Sequence, residues 1–482
     1  MKIDRIEIIN YKAFIGTHKI SVKGKNLFIY GENGSGKSSL YFALKDFFQA
    51  SVEYIDLNEL ENVFISDDQK GNTGIHVDFK PNVHGKRTLG HYSFTSTGKN
   101  LGGPGDTSIR DANKLKSFLN YKHLLDIHHL KKKDDINLFQ LLVNGVLRHF
   151  KYALTQGKEL GELWKELETL IERPTSREYK ITQKKSAVNA AVKLFNEAFG
   201  ELFKKQSPEY ILKHATPILN RFGHNMVIDL AFPQVRPNKE YTHFENVEVH
   251  TSVNFAGYKV NKPHLFLNEA RLSAIAISIY LGMIKRHPQG IKHKLLFLDD
   301  IFIGLDISNR LPLLNILETD FQDYQIILTT YDKPWFEYAK GFIDKGQWKV
   351  LEFYAQPTSN GYDLPCIIDD NDLIQKAKAH YQQCDYKAAA VYARSSFENI
   401  IRKYCEKKKI KIAFKSKLNA YTTQDFWKEI KDGLNPLIVK DIEKYRSLVL
   451  NTFSHYNIEN HEIKKELDSA IKSIEKLKAE LS

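Results

Sequence analysis

Eight consecutive residues, Gly31-Glu32-Asn33-Gly34-Ser35-Gly36-Lys37-Ser38, satisfy the spacing G-x-x-x-x-G-K-[ST], with one more glycine than it requires, at the fourth position. Glycines let backbone N–H groups curl around a phosphate chain without Cβ clashes, and the N-terminus of a following helix adds a favourable dipole. In this pattern Lys37 reaches the β- and γ-phosphates of a nucleoside triphosphate, and the Ser38 hydroxyl ligates Mg2+. The bland reading is a glycine turn that happens to contain Lys-Ser. The flanks argue against it: residues 26–30 (NLFIY) form a short buried-strand pattern, and residues 39–48 (SLYFALKDFF) have helical spacing.

A second candidate set lies far along the chain. Residues 295–300 read LLFLDD, four apolar positions ending in two carboxylates. An open α/β sheet holds its ligand at the carboxyl ends of its strands, so these acids are delivered where a nucleotide would sit. Asp299 would enter the Mg2+ shell, and Asp300 would orient or deprotonate an attacking water. Taken alone, an apolar strand ending in Asp-Asp is more often structural. Beside the glycine loop it gains the functional reading.

The elements that must position these groups follow from periodicity. Residues 3–9 alternate like a half-buried strand, 19–22 suggest a second, and 62–110 read as further strands and turns. Residues 115–222 carry Leu, Phe and Ala at three- and four-residue spacing, broken once near Pro174. Strand-like alternation returns over 225–260, followed by a long helix at 268–286, a helix at 308–317 and a buried strand at 325–328. Residues 355–362 (AQPTSNGY) read as a loop, 367–372 as an acidic boundary, and 372–482 as helical throughout. The expected organisation is an α/β head in two parts, 1–114 and 223–354, with a compact helical insertion at 115–222 and an all-α C-terminal domain at 371–482. No heptad pattern is sustained between Ser38 and Leu267, which excludes a long coiled-coil arm.

The chain has 482 residues, a net charge of +12, 42% hydrophobic and 27% charged residues, which excludes wholesale disorder. Its apolar runs are too short to span a bilayer, and residues 1–14 lack the apolar core of a signal peptide. No membrane association is therefore expected. Three cysteines, Cys366, Cys384 and Cys405, make no metal-binding pair, so a reducing cytoplasm is the default. The positive charge favours an anionic partner. It is spread, however: the runs at 131–133 and 407–409 are only three residues long, and nucleic acid stays open as a partner. The adjacent His128 and His129 have no acid or cysteine cluster beside them and read as structural, and Asp369, Asp370 and Asp372 as a solvated linker.

With these motifs in view, the sequence resembles the SMC/RecF-type branch of the ABC ATPases over roughly residues 1–350. The opening IEIINYKAF is similar to that branch's N-terminal strand and turn, in which a basic residue, here Lys12, lies near the nucleotide. Gly304-Leu305-Asp306 follows the acid pair where the D-loop stands. Thr329-Thr330-Tyr331 follows the next strand where a switch histidine is usual. Leu267-Asn268-Glu269-Ala270-Arg271 precedes the long helix at the signature position. The resemblance implies ATP and Mg2+, and an ATP sandwich between two copies. One copy would supply Gly31, Asn33, Gly34, Ser35, Gly36, Lys37, Ser38 and Ser39 with Asp299 and Asp300. The other would supply Asn268, Arg271 and Asp306. The sequence departs from the family in three places. The signature lacks its glycines, Asp300 stands for the usual Glu, and Tyr331 for the usual His. A catalytic acid one methylene short costs on the order of a hundredfold in rate, so slow hydrolysis is expected.

The LNEAR segment, the acid pair with its following GLD, and the TTYD segment together resemble a narrower set, the ATPases of prokaryotic antiphage systems such as Septu and retron-associated ones. That resemblance implies a sensor or scaffold controlling a separate nuclease or toxin. Two alternatives stay open. One is a RecF-like repair ATPase that clamps DNA. The other is a self-contained effector whose C-terminal domain is a HEPN-like ribonuclease using Arg446 and His455. Eight residues separate that pair, more than the family spacing. On one continuous helix they would face opposite sides. Arg394 and Glu398, one turn apart, read as a helix-surface pair.

Overall fold

The computed structural model describes residues 1–80, 90–115, 117–121, 137–152, 155, 157–176, 179–286, 291–358, 361–369, 373–413, 415, 421–445 and 464–481. The chain divides into two compact units, Met1–Ile368 and Asp369–Ser482.

The first unit opens with strands β1 (Lys2–Ile9), β2 (Thr17–Ser21) and β3 (Asn26–Gly31), helix α1 (Lys37–Gln49), then β4 (Gly74–Lys80), β5 (Gly90–Thr95) and β6 (Gly98–Asn100). Helix α2 (Ser108–Asn113) and strand β7 (Phe118–Asn120) follow, then helices α3 (Leu160–Glu172), α4 (Ile181–Glu201) and α5 (Leu212–Arg221). Next come β8 (Met226–Ala231), β9 (Arg236–Pro237), β10 (Phe244–Glu245), β11 (His250–Phe255) and β12 (Tyr258–Val260). The unit ends with α6 (Pro263–Phe266), α7 (Glu269–Lys285), β13 (Leu295–Asp299), α8 (Ile307–Asp320), β14 (Gln325–Thr330), α9 (Lys333–Ala339), β15 (Trp348–Pro357) and β16 (Asp363–Asp369).

The central layer is a six-stranded sheet in the order β16-β15-β3-β14-β13-β7, and the pairs β15/β3, β3/β14, β14/β13 and β13/β7 are parallel. Its inner strands β3, β14 and β13 are buried along their whole length and mostly apolar because both faces are covered. Leu27, Ile29, Phe297 and Ile327 enter one core with α1 and the antiparallel sheet β2-β1-β4-β5-β6. Phe28, Leu296, Leu298, Ile326 and Leu328 point the other way, into a core shared with α3, α4, α5 and α7. The alternation in β1 follows from this layering: Ile6 and Ile8 are fully buried, whereas Arg5 is exposed. A third, antiparallel sheet, β12-β11-β8, accounts for the alternation read over 225–260, with Met226, Ile228 and Leu230 inward. Among the described residues no helix is long and apolar enough to cross a membrane.

Two expected boundaries shift. Residues 118–120, placed in the helical insertion by the sequence, form β7 at one edge of the central sheet, paired with β13. Three residues are too few to show a period. At the other edge the sheet runs on past residue 354 through β15 and β16, where a loop was expected. Proline and glycine there mark an edge strand and its turn rather than a linker, since an edge strand can spare the N–H that Pro365 lacks.

The second unit contains helices α10 (Leu373–Gln382), α11 (Tyr386–Lys407), α12 (Thr423–Ile430), α13 (Pro436–Tyr445) and α14 (Lys464–Glu480). Ala389, Ala393, Phe397 and Ile401 of α11 line one face at helical spacing and meet Trp427, Leu467, Ile471 and Ile474. Arg394 donates to Glu398 at 3.1 Å, and Thr423 donates to the same carboxylate at 2.8 Å. Arg446 and His455, and likewise His128, His129, the 131–133 run, Asp370 and Asp372, lie outside the described residues.

Candidate functional site

The glycine loop joins the end of β3 to the start of α1. Its geometry explains its composition. A Cβ on Gly31 would sit 2.5 Å from Ser35 Oγ and 2.7 Å from Lys37 Cγ. Gly36 has φ 92° and would meet Pro365 at 2.9 Å, so only glycine fits. Gly34, at φ 83°, faces open space. Asn33 and Gly34 are exposed, and Ser35 is buried with its hydroxyl unpartnered. An orphaned hydroxyl beneath a cradle closed to side chains suits a polyanion threading the loop.

Lys37, the first residue of α1, folds back over this cradle. Its Nζ donates to Gly31 O at 2.6 Å and Glu32 O at 3.1 Å, and stands 3.7 Å from Asp300 Oδ2. The Ser38 hydroxyl donates to Asp299 Oδ2 at 3.1 Å. Ser39 faces the other way and accepts from Ala13 N at 3.3 Å, pinning the N-terminal turn to α1. Lys37, Ser38, Asp299 and Asp300 are thus one cluster at the carboxyl ends of β3 and β13, with β14 between.

The two acids differ. Asp299 is buried, which pushes its pKa up, and the hydroxyls of Thr329 and Ser38 and the Lys37 ammonium oppose the shift. Asp300 has φ 52° and is pushed up to about 6, chiefly by burial and further by Asp299. Lys37 and the backbone N–H of Tyr331 act against this. Thr329, whose role the sequence did not single out, serves both acids. Its hydroxyl donates to Asp299 Oδ1 at 2.7 Å and accepts from Asp300 N at 3.0 Å. Leu328 pairs with Leu298 in parallel register, which sets Thr329 beside Asp299.

The remaining expected residues lie elsewhere. Tyr331 follows the end of β14 and is 45% exposed. Lys12, at φ 46°, lays its ammonium over the Phe42 ring of α1 at 4.2 Å, and burial lowers its pKa. Asn268 caps α7 by accepting from Arg271 N at 3.0 Å, and the Arg271 guanidinium lies 4.7 Å above the Phe255 ring. Asp306 caps α8, accepting from Asn309 N at 3.1 Å and Ser308 Oγ at 2.8 Å. Arg271, Asp306 and Asn309 all act on His224. Among the described residues, this second group makes no contact with the Lys37 cluster. A further residue, Arg310, escaped the sequence reading: it donates to Leu305 O at 2.8 Å and to Asp332 Oδ2 at 2.6 Å.

The family model described as the RecF/RecN/SMC N-terminal domain matches residues 2–347. The chain belongs to this family. Its members are ATPases of the SMC/RecF-like ABC type, which bind ATP with Mg2+. Among solved structures, an Smc head domain with an extended coiled coil, bound to the C-terminal domain of ScpA and derived from Pyrococcus furiosus, is 13% identical. It has a TM-score of 0.46 and covers 80% of this chain and 99% of its own. The SMC head domain from Thermotoga maritima is 12% identical, with a TM-score of 0.36 and coverage of 77% and 99%. A comparison with curated proteins returned no match.

Proposed function

We propose that the chain works as a pair of ATPase heads that close on ATP, hydrolyse it slowly, and so control a separate effector in antiphage defence. The observation that carries the ATPase part is the cluster of Lys37, Ser38, Asp299 and Asp300 within hydrogen-bonding and ion-pair reach of one another. The backbone of residues 31–36 would hold the phosphate chain, and Lys37 would leave its two carbonyl acceptors for the β- and γ-phosphates. Ser38 and Asp299 would hold Mg2+, whose charge would offset that of the phosphates. Asp300 would take the proton of the attacking water. Its elevated pKa brings it close to the working pH, as a general base needs.

The second copy would present Asn268, Arg271 and Asp306. Support comes from exposure: Asn268 and Asp306 face solvent, flanked by Phe266 at 63% and Ile307 at 64% exposed. ATP would favour the closed pair only through its higher affinity for that state. Slow turnover rests on the short Asp300 side chain and on Tyr331 in place of a histidine. The defence role rests on the resemblance of LNEAR, GLD and TTYD to antiphage ATPases. The second unit or the helices α3–α5 would dock the nuclease or toxin. The test is a phage challenge of cells carrying the gene with its neighbours, wild type against Lys37→Ala. Protection that requires Lys37 and an adjacent nuclease or toxin gene is expected. Protection by the mutant, or none by either, removes the reading.

The net charge of +12 favours a second reading, a RecF-like clamp on DNA. A salt titration separates the two. A clamp that neutralises many phosphates loses DNA affinity steeply with salt, whereas a scaffold for a protein effector shows no such slope.

A further inference from the structure

We propose that Arg310 is a positioning residue for hydrolysis, holding both flanks of Asp300 in one closed circuit. The inference deepens the ATPase reading and rests on it. Asp300 ends the strand that delivers the acids, and the chain turns immediately: Ile303 N donates to Asp300 O at 3.3 Å and Leu305 N to Phe302 O at 3.0 Å. The turn leaves Leu305 O pointing at α8, where Arg310 Nε donates to it at 2.8 Å. The other arm of the same guanidinium, Nη1, donates to Asp332 Oδ2 at 2.6 Å. Asp332 caps α9 with its second oxygen, accepting from Trp335 N at 3.0 Å, and its own N–H donates to Thr330 Oγ1 at 3.2 Å. Thr329, the residue before Thr330, accepts from Asp300 N at 3.0 Å through its hydroxyl. The circuit therefore runs from Asp300 through the 301–305 turn, Arg310, Asp332, Thr330 and Thr329 back to Asp300.

The chemistry of the link suits arginine. Its guanidinium presents Nε and Nη1 as separate donors in one rigid plane, matching two acceptors that lie in different directions, where a lysine would have to reach both from a single nitrogen. The guanidinium is fixed further by the rings it lies between, Trp335 at 5.6 Å and Phe302 at 6.0 Å. Its side chain is 12% exposed, so the ion pair with Asp332 is shielded from salt. None of these contacts touches the glycine loop. Arg310 can thus set where the Asp300 carboxylate points without altering how phosphates are held. A misplacement of about 1 Å at a reacting group costs about a hundredfold in rate.

The test compares wild type with Arg310→Gln and Asp332→Asn. The second variant keeps the cap of α9, because an amide oxygen still accepts from Trp335 N, but loses the ion pair. Both variants should bind ATP as wild type does. Both should lose about tenfold to a hundredfold in kcat with little change in KM. A residue that merely props up the fold would lower the folded fraction and leave kcat per folded molecule unchanged. Should Arg310→Gln fail to fold, Asp332→Asn carries the same readout. Unchanged kcat in the folded variants overturns the inference while leaving the ATPase reading intact. Absence of ATP hydrolysis by the wild type overturns both.

Discussion

Replacing Asp300 by Asn should make the first unit more stable while stopping its turnover. Asp300 is a buried carboxyl whose pKa rises from 3.8 to about 6 on folding. Between those values the folded protein keeps a proton that the unfolded chain has released, so stability falls as pH rises through this window and the deficit is complete above it. Two pK units and a little more amount to about 3 kcal/mol at pH 8 and about half of that at pH 5. Asparagine carries no charge to desolvate, and it tolerates the left-handed φ of 52° as well as aspartate does. It still accepts a hydrogen bond from water but cannot take a proton. Lys37 keeps both carbonyl acceptors, so ATP binding should survive. Urea unfolding of both proteins at pH 8 and pH 5 reads the stability change, and phosphate release reads turnover. The stabilisation by Asp300→Asn should be larger at pH 8 than at pH 5 by about 1.4 kcal/mol. A difference that does not change with pH, or an unchanged rate of hydrolysis, would refute the reasoning.

Other expectations follow from the same contacts. Arg271 at the start of α7 opposes the positive helix end by roughly 0.3–1 kcal/mol, and the Phe255 ring offsets part of this in one copy. If Arg271 completes the partner's site, mixing Lys37→Ala with Arg271→Ala subunits restores one intact composite site and part of the activity, and failure to recover any counts against a shared site. His293 is buried against the Phe79 ring and burial pushes its pKa down to about 4. Its contribution is therefore present above pH 6.5 and lost as pH falls towards 4, about 3 kcal/mol in all. His293→Leu should flatten acid unfolding in that window, and an unchanged acid transition would show that His293 is not its cause. His455→Ala should leave RNA intact as wild type does when either purified protein is incubated with tRNA and ATP. Cleavage by wild type that His455→Ala abolishes would make this chain its own effector.

Much of the site was legible because its chemistry is local in sequence. The loop from Gly31 to Ser38 carries its own strand and helix context, and the pair Asp299 and Asp300 announces itself as acids ending an apolar run. What joins them is not local. Thr329 serves both acids only because β14 lies beside β13, and Arg310 links Leu305 to Asp332 across two connections. A sequence shows such side chains as an unremarkable hydroxyl and one more base on a helix. The sheet edges were hidden for another reason. Residues 118–120 are too few to display a period, and Pro357 and Pro365 carry the signals of a turn, although Pro357 ends β15 and Pro365 lies on the edge strand β16. The resemblance places Lys12 and Tyr331 at the nucleotide; in the structure the Lys12 ammonium lies over the Phe42 ring of α1 and Tyr331 is 45% exposed.

The central claim is that the loop from Gly31 to Ser38 holds ATP through Lys37. Equilibrium binding of ATP with Mg2+ to purified wild type and to Lys37→Ala tests it most directly. Two charge-assisted hydrogen bonds to phosphate, about 1.5–3 kcal/mol each, are lost with the ammonium. Wild type should bind saturably, and the variant should lose at least about a hundredfold in affinity while unfolding cooperatively like wild type. A correctly folded Lys37→Ala protein that binds ATP with unchanged affinity would contradict the account.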